Sequence, residues 1–197
     1  MINYLKNFFG HLKTVIVHKW WVFYYCCIFG IPFRGIVHDL SKFSPTEFFE
    51  SVKYYTGTRS PIDACKEANG VSYAWMHHKG RNKHHYEYWQ DNFDKGGEPV
   101  LMPYKYSVEM LCDYLGAGKA YMKDKFDIQC EIIWWENKNK NPIAMHPINK
   151  RFITNMLRFI LFKCSKNGKV DLTKRYMLRE QAAYQYKLLT EKRGCGE

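Results

Sequence analysis

Phe33 to Tyr55 reads FRGIVHDLSKFSPTEFFESVKYY, and the class of fold can be argued from this stretch outward. Ser44-Pro45-Thr46-Glu47 is a helix start: the serine suits the N-cap, the proline the first helical position, and the glutamate closes a capping box. The helix it opens is expected to run to Tyr55, with Gly57 beyond it. Upstream, Phe33 to Lys42 is expected as a short helix following the stop signal Gly30-Ile31-Pro32. Nothing in the stretch alternates apolar and polar residues as a half-buried strand does.

The same periodicity extends in both directions. Residues 3–28 carry aromatic and aliphatic side chains at helical spacing. Ser60-Pro61 opens a helix expected to reach Lys79 through Gly70. Gly80-Arg81-Asn82 then interrupts the pattern, and His84 to Gln90 resumes it briefly. Asp94-Lys95-Gly96-Gly97-Glu98-Pro99 is a loop, and Pro103 starts a helix to about Lys123. Further helices are expected at 127–138, 147–164 and 173–192, separated by Asn137 to Asn141 and by Lys166-Asn167-Gly168. The expectation is an all-α helical bundle in which residues 126–197 add helices to a domain formed by residues 1–125.

A chain of 197 residues suits one domain, and 46% hydrophobic with 17% aromatic residues excludes a disordered chain. The net charge of +11 favours acidic partners, whether phosphate esters, nucleotides or nucleic acid, without choosing among them. The seven cysteines include no CxxC pair and read as reduced thiols of a cytoplasmic protein. Lysines interrupt the apolar residues at the N-terminus, so no secretory signal is expected there. The uncharged run Trp20 to Phe33 is short for a membrane span, and no membrane partner is expected.

Histidine placement carries the chemical information. Seven of the eight histidines lie between residues 11 and 85: His11, His18, His38, His77, His78, His84 and His85. Asp39 follows His38 directly. Glu109 and Asp113, four apart on one expected helix, can face the same pocket. Neutral imidazoles with carboxylates suit Mn, Fe, Co, Ni or Zn, one or two ions, and carboxylates can bridge a pair. The absence of CxxC argues against a thiolate zinc site.

His38-Asp39-Leu40-Ser41-Lys42 resembles the HDxxK signature of the HD-domain superfamily of metal-dependent phosphohydrolases. His18, His38, Asp39, His78, His84 or His85, and Asp113 occur in the order that superfamily uses. The wider strings HDLSKFSPTEF, HHKGRNKHHYEYW and MPYKYSVEMLCD resemble a family of small HD-like proteins of phages and bacteria. The resemblance implies a metal centre within residues 1–125. Asp39 would ligate and bridge, with His18, His38 and Asp113 completing one shell. His78 and either His84 or His85 would hold a second ion. GYP is absent, so hydrolysis of cyclic-di-GMP is not implied.

The reaction so implied is hydrolysis of a phosphate ester, a nucleotide or a related small molecule. Asp39 and Lys42 are the expected catalytic residues, Lys42 neutralising a substrate phosphate or an oxyanion. Arg81 and Asn82 are expected at the substrate, and Asn82 as a cap for the segment holding His84 and His85. Glu87 and Glu109 are expected behind the ligands, Glu87 accepting a ring N–H. Tyr86, Tyr88 and Trp89 suit core packing or base stacking. Two other functions use the same residues: an HD-type di-iron oxygenase, and a basic nucleic-acid or protein-binding module with a structural metal. The basic residues Arg175, Arg179, Lys187, Lys192 and Arg193 suit a solvated helix or a nucleic-acid face.

Overall fold

A computed structural model describes residues 2–191. The fold is all-α. Among the described residues the helices are α1 (Ile2–Ile28), α2 (Pro32–Val37), α3 (Pro45–Lys53), α4 (Pro61–Asn69), α5 (Tyr73–Arg81), α6 (Tyr104–Met122), α7 (Ile128–Lys138), α8 (Pro147–Lys163) and α9 (Arg175–Glu191). Two short hairpins interrupt them: β1 (Gln90–Asp91) with β2 (Glu98–Pro99), and β3 (Ser165–Lys166) with β4 (Lys169–Val170), both antiparallel. Lys192, Arg193 and the expected last residue of the final helix lie outside the described residues. No described helix is long and apolar enough to cross a membrane.

Helix α6 is the axis of the bundle. It packs along α1 and also touches α2, α7, α8 and α9. Ser107 to Gly116 is buried without interruption. Gly116 sets the approach of α1 to α6, because a Cβ there would lie 2.6 Å from Val22 Cγ2 and 3.0 Å from the Val22 backbone nitrogen. Alanine at this position would have to push two core helices apart.

The inward stripe of α1 is His11, Val15, His18, Val22, Tyr25 and Cys26, at helical spacing, and Phe29 continues it just past the helix end. Its upper half carries histidines and its lower half joins the apolar core. That core includes Leu111 and Leu115 of α6, Ile153, Met156 and Leu157 of α8, and Leu178 and Ala182 of α9. The C-terminal helices therefore share one core with α1 and α6. They are also tied in by polar contacts: Asn149 of α8 bonds both backbone groups of Met102 and the Ser107 hydroxyl, and Tyr186 of α9 donates to Met102 O.

Several local expectations need correction. The segment from Phe33 to Lys42 is not one helix. α2 ends at Val37, His38 is extended, and Asp39 lies in the left-handed region at φ 52° before a 3₁₀ turn over Leu40–Phe43. Ser60 to Lys79 is two helices, because Gly70 at φ 75° terminates α4 and the Ser72 side chain caps α5 by accepting from Trp75 N. His84 and His85 are not helical; only Tyr86–Tyr88 forms a 3₁₀ turn. The capping box is half-made: Ser44 Oγ accepts from Glu47 N at 3.4 Å, but the Ser44 N–H goes to Ser41 O. The Glu47 carboxylate is used elsewhere.

Candidate metal centre

Five imidazoles and two carboxylates converge where α1, the α2–α3 connection, α5, the His84-His85 segment and α6 meet. The break at Asp39 makes the convergence work. Helix α2 delivers His38, and the left-handed residue turns the chain so that the next carboxylate faces the same space. That conformation is open to aspartate more readily than to most residues. Lys19 fixes the turn by donating to Ile36 O and His38 O at 2.6 and 2.7 Å.

Asp39 divides the cluster in two. Its Oδ2 lies 3.3 Å from His38 Nε2 and 3.6 Å from His18 Nε2. Its Oδ1 lies 3.3 Å from His84 Nε2 and 3.4 Å from His78 Nε2. Asp113 joins the first side, with Oδ1 at 3.1 Å from His18 Nε2 and 3.5 Å from His38 Nε2. His85 joins the second, its Nε2 2.8 Å from that of His78. Candidate donor atoms of His18, His38, Asp39 and Asp113 all lie within 4.8 Å of one another, as do those of Asp39, His78, His84 and His85.

The outer faces of the rings are held by carboxylates. Glu109 Oε1 is 3.1 Å from His38 Nδ1 and 3.4 Å from His84 Nδ1, while its Oε2 accepts from Arg34 Nε at 2.7 Å. Glu47 takes His77 Nδ1 at 2.6 Å with one oxygen and His78 Nδ1 at 2.7 Å with the other. A ring that donates through Nδ1 presents a bare Nε2 lone pair on its opposite side. His38 and His78 are thus set with lone pairs inward. Carboxylate–histidine pairs of this kind orient rings toward a metal and raise their basicity.

Neither Asp39 oxygen and neither His84 ring nitrogen has a hydrogen bond of acceptable geometry, although all four atoms are buried. Lys42 Nζ lies 2.6 Å from Asp39 Oδ2 and supplies charge there. Buried nitrogen and oxygen donors converging in this way suit a cation. The donor set, imidazole nitrogen with carboxylate oxygen and no thiolate, is that of a transition-metal site. The residues fit such a metal.

Among the chain's own groups, the acids and rings of the cluster compensate one another's charge. Burial opposes charge on Asp39 and on Asp113, yet the surrounding histidines, with Lys42 acting on Asp39, hold both carboxyls well below the usual range. Burial would also lower His38, but Asp39, Asp113 and Glu109 outweigh it and raise that ring well above its ordinary value. Glu109 is held at about 2 against its own burial, by His38, His84 and Arg34. His84 and His85 are lowered, first by burial and then by neighbouring rings.

Placement of the other expected residues is mixed. His77 faces Glu47 and stays out of the inner group, which resolves the His77-His78 pair in favour of His78. Asn82 caps the end of α5 rather than the following segment; its amide donates to Ser41 Oγ at 2.7 Å and sits 3.1 Å from His78 Nδ1. Asn82 lines neither cavity beside the cluster. Arg81, expected at a phosphate, is exposed and lines neither cavity beside the cluster. It precedes Asn82 by one residue, a rotation of about 100° around the helix. Glu87 accepts from no histidine: the 3₁₀ turn carries it toward Tyr86 and the larger cavity, with Oε2 unpartnered. Arg34 clamps Glu109 and stacks over Tyr106.

Two residues escaped the sequence reading. Glu47 was assigned wholly to a cap. Its signal was its place within the HDxxK neighbourhood, nine residues after His38. His11, seven residues before His18 on the same stripe, lines the cavity of about 200 Å³ that opens on His18, Lys42, His78, His85 and Asp113. Burial, and after it the charge of Lys42, lowers His11 to about 4, so it is a neutral wall at physiological pH.

The chain belongs to a family whose model matches residues 7–159 and is described as a family of unknown function (DUF5662). The matched span contains every residue of the cluster. No curated protein and no solved structure matches the chain.

Proposed function

We propose that this chain is a metal-dependent phosphohydrolase, built on a dinuclear centre in which Asp39 is the shared ligand. The observation that carries the reading is the division of Asp39: one oxygen toward His18 and His38, with the Lys42 ammonium beside it, and the other toward His78 and His84. The ordered resemblance to the HD superfamily supports the same reading from sequence. His18, His38, Asp39 and Asp113 would hold one divalent ion, and Asp39, His78, His84 and His85 the other. Mn, Fe, Co, Ni or Zn suits these donors.

When bound, such ions supply Lewis acidity toward phosphoryl oxygens and draw the acidity of water into the neutral range. The protein's part is positional and electrostatic. Glu47 and Glu109 hold His78 and His38 in the tautomer that turns Nε2 inward. Lys42 lines the cavity beside Asp39. Burial disfavours its charge, but Asp39 and Asp113 raise it, so it stays an ammonium. Being protonated, it cannot ligate; it neutralises charge on a phosphate entering the cavity. His11, Val15 and Ala74 make that cavity's remaining walls narrow and partly apolar, which strengthens each charged contact.

The test is metal analysis of the purified protein together with phosphate release from a panel of nucleotides and sugar phosphates. Two equivalents of metal and manganese-dependent release of phosphate are expected. Bound iron with oxygen uptake and no phosphate release would place the chain with the di-iron oxygenases instead. Salt-dependent nucleic-acid binding without turnover would make the metal structural.

A further inference from the structure

The narrow cavity over the cluster continues into a larger cleft of about 700 Å³, the two sharing Trp75, His85, Asp113, Ala117 and Tyr121. A cleft of that size accepts a ligand far larger than phosphate. Its walls are aromatic: Trp75 comes from α5, Tyr86 from the 3₁₀ turn, Tyr114 and Tyr121 from α6, and Trp134 from α7. Trp134 is 44% exposed, so a large aromatic surface stands open there. Lys138 places its ammonium 5.1–5.4 Å from the centroids of Tyr86, Tyr114 and Trp134, with no carboxylate in ion-pair range among the described residues. It adds positive charge to the cleft.

Glu131 lies in the same wall. It is 6% exposed and makes no hydrogen bond or ion pair among the described residues, yet it lines the cleft. Gly118 makes room for it: a Cβ at Gly118 would lie 2.5 Å from Glu131 Oε2. A buried carboxyl without a partner, held in an open aromatic cleft, is a group waiting for a ligand's polar edge. Burial, and after it the charge on Asp113, pushes Glu131 up to about 8. Near neutrality it therefore offers a donor and an acceptor side by side.

We propose that this cleft is a base-binding subsite: its aromatic walls stack a planar heteroaromatic ring, and the Glu131 carboxyl hydrogen-bonds that ring's edge. The phosphate part of the assignment rests on the hydrolase reading; the ring-binding part does not. With the phosphate at the cluster, the ligand is a nucleoside phosphate and not a sugar phosphate. A neutral carboxyl matches any ring edge with an adjacent donor and acceptor, and each of the common bases presents one.

The test uses the full chain as purified and measures binding of nucleosides and of ribose 5-phosphate by calorimetry. Because nucleosides carry no phosphate, their binding is independent of hydrolysis at the metals. Glu131→Ala is expected to weaken nucleoside binding about tenfold, and Glu131→Gln, which keeps a donor and an acceptor, to stay within a few-fold of the parent. Trp134→Ala, at a half-exposed site that does not hold the core, is expected to lose about tenfold from stacking. Absence of nucleoside binding at millimolar concentration, or an unchanged affinity in both alanine variants, overturns the subsite. An unchanged affinity in Glu131→Ala alone overturns the role given to Glu131. Nucleoside binding without phosphate release from any nucleotide leaves the subsite standing and sinks the hydrolase reading alone.

Discussion

The protein buries two dense polar clusters, and they differ in one respect. Around Met102, the Asn149 amide accepts from Met102 N at 2.9 Å and donates to Met102 O at 2.9 Å and Ser107 Oγ at 2.8 Å; Ser107 and Tyr186 donate to the same carbonyl. Each side-chain polar group there meets a complementary one, and the cluster is closed. Around Asp39, lone pairs meet lone pairs: both carboxylate oxygens and both His84 nitrogens lack hydrogen bonds. The first cluster fastens α8 and α9 to the start of α6. The second is arranged for something the chain does not itself provide. Polar burial therefore separates into structure and site according to whether its own atoms satisfy it.

The largest expected effect breaks the open cluster. Asp39→Ala should abolish binding of both metals and with it all turnover, measured by metal content and phosphate release, because the shared negative charge is lost. Full activity in a metal-free Asp39→Ala protein would place the chemistry elsewhere. Lys42→Ala comes next: metal content should be retained while kcat falls by about 10²–10³, from loss of one charge-assisted contact in the transition state. Unchanged kinetics would return Lys42 to being a mere counter-charge for Asp39. Glu47→Gln removes the negative acceptor behind His78, and metal affinity should fall about 10- to 100-fold by competition with a chelating dye.

Breaking the closed cluster should give the opposite pattern. Asn149→Ala leaves the Met102 N–H without its partner, so stability to urea should drop by about 1–3 kcal/mol while metal content stays at the parent value. Loss of metal from this variant would mean that the two clusters are not separable. A separate, pH-dependent effect belongs to Glu131, a lone group in neither cluster. Its carboxyl titrates near the ordinary value in the unfolded chain and at about 8 in the fold. The folded state thus holds an extra proton between those two points. Its contribution to stability is present below the window and is lost as pH rises through it, by at most about 1.4 kcal/mol per pH unit. Glu131→Gln should flatten that part of the stability profile; an unchanged profile would show the carboxyl to be ionised throughout.

Long helices were legible because their signals are local. Apolar spacing and capping residues are properties of neighbouring positions, and the observed bounds of α1, α6, α7 and α8 lie within a residue or so of those expected. The histidines and acids of the cluster were legible by type and order, since few other combinations suit a buried cation. The conformation that unites them was not. A helix through His38-Asp39 satisfies the local pattern as well as the observed break does, and only the packing of Lys19 and α6 selects the break. Glu47 shows a second obstacle: one carboxylate fits a capping box and a histidine pair equally well on paper. Arg81 and Glu87 lie off the cluster because of where α5 ends and where the 3₁₀ turn begins, which composition does not encode. The aromatic cleft is assembled from residues between Thr58 and Lys138, and no single window of sequence contains enough of it to be read.

The left-handed residue at the centre has a consequence for tolerance to change. Position 39 is filtered twice, by backbone and by charge, and the two filters overlap on very few amino acids. Glycine and asparagine accept φ 52° but bring no negative charge; glutamate brings the charge but loses the short side chain that suits this conformation. Asparagine and glutamate should therefore fail for unrelated reasons, one with a sound backbone and no ion, the other with a displaced turn. Any lineage that drifts away from aspartate here has no neutral intermediate to pass through, and a chain that has lost it should be read as having left the chemistry while keeping the fold.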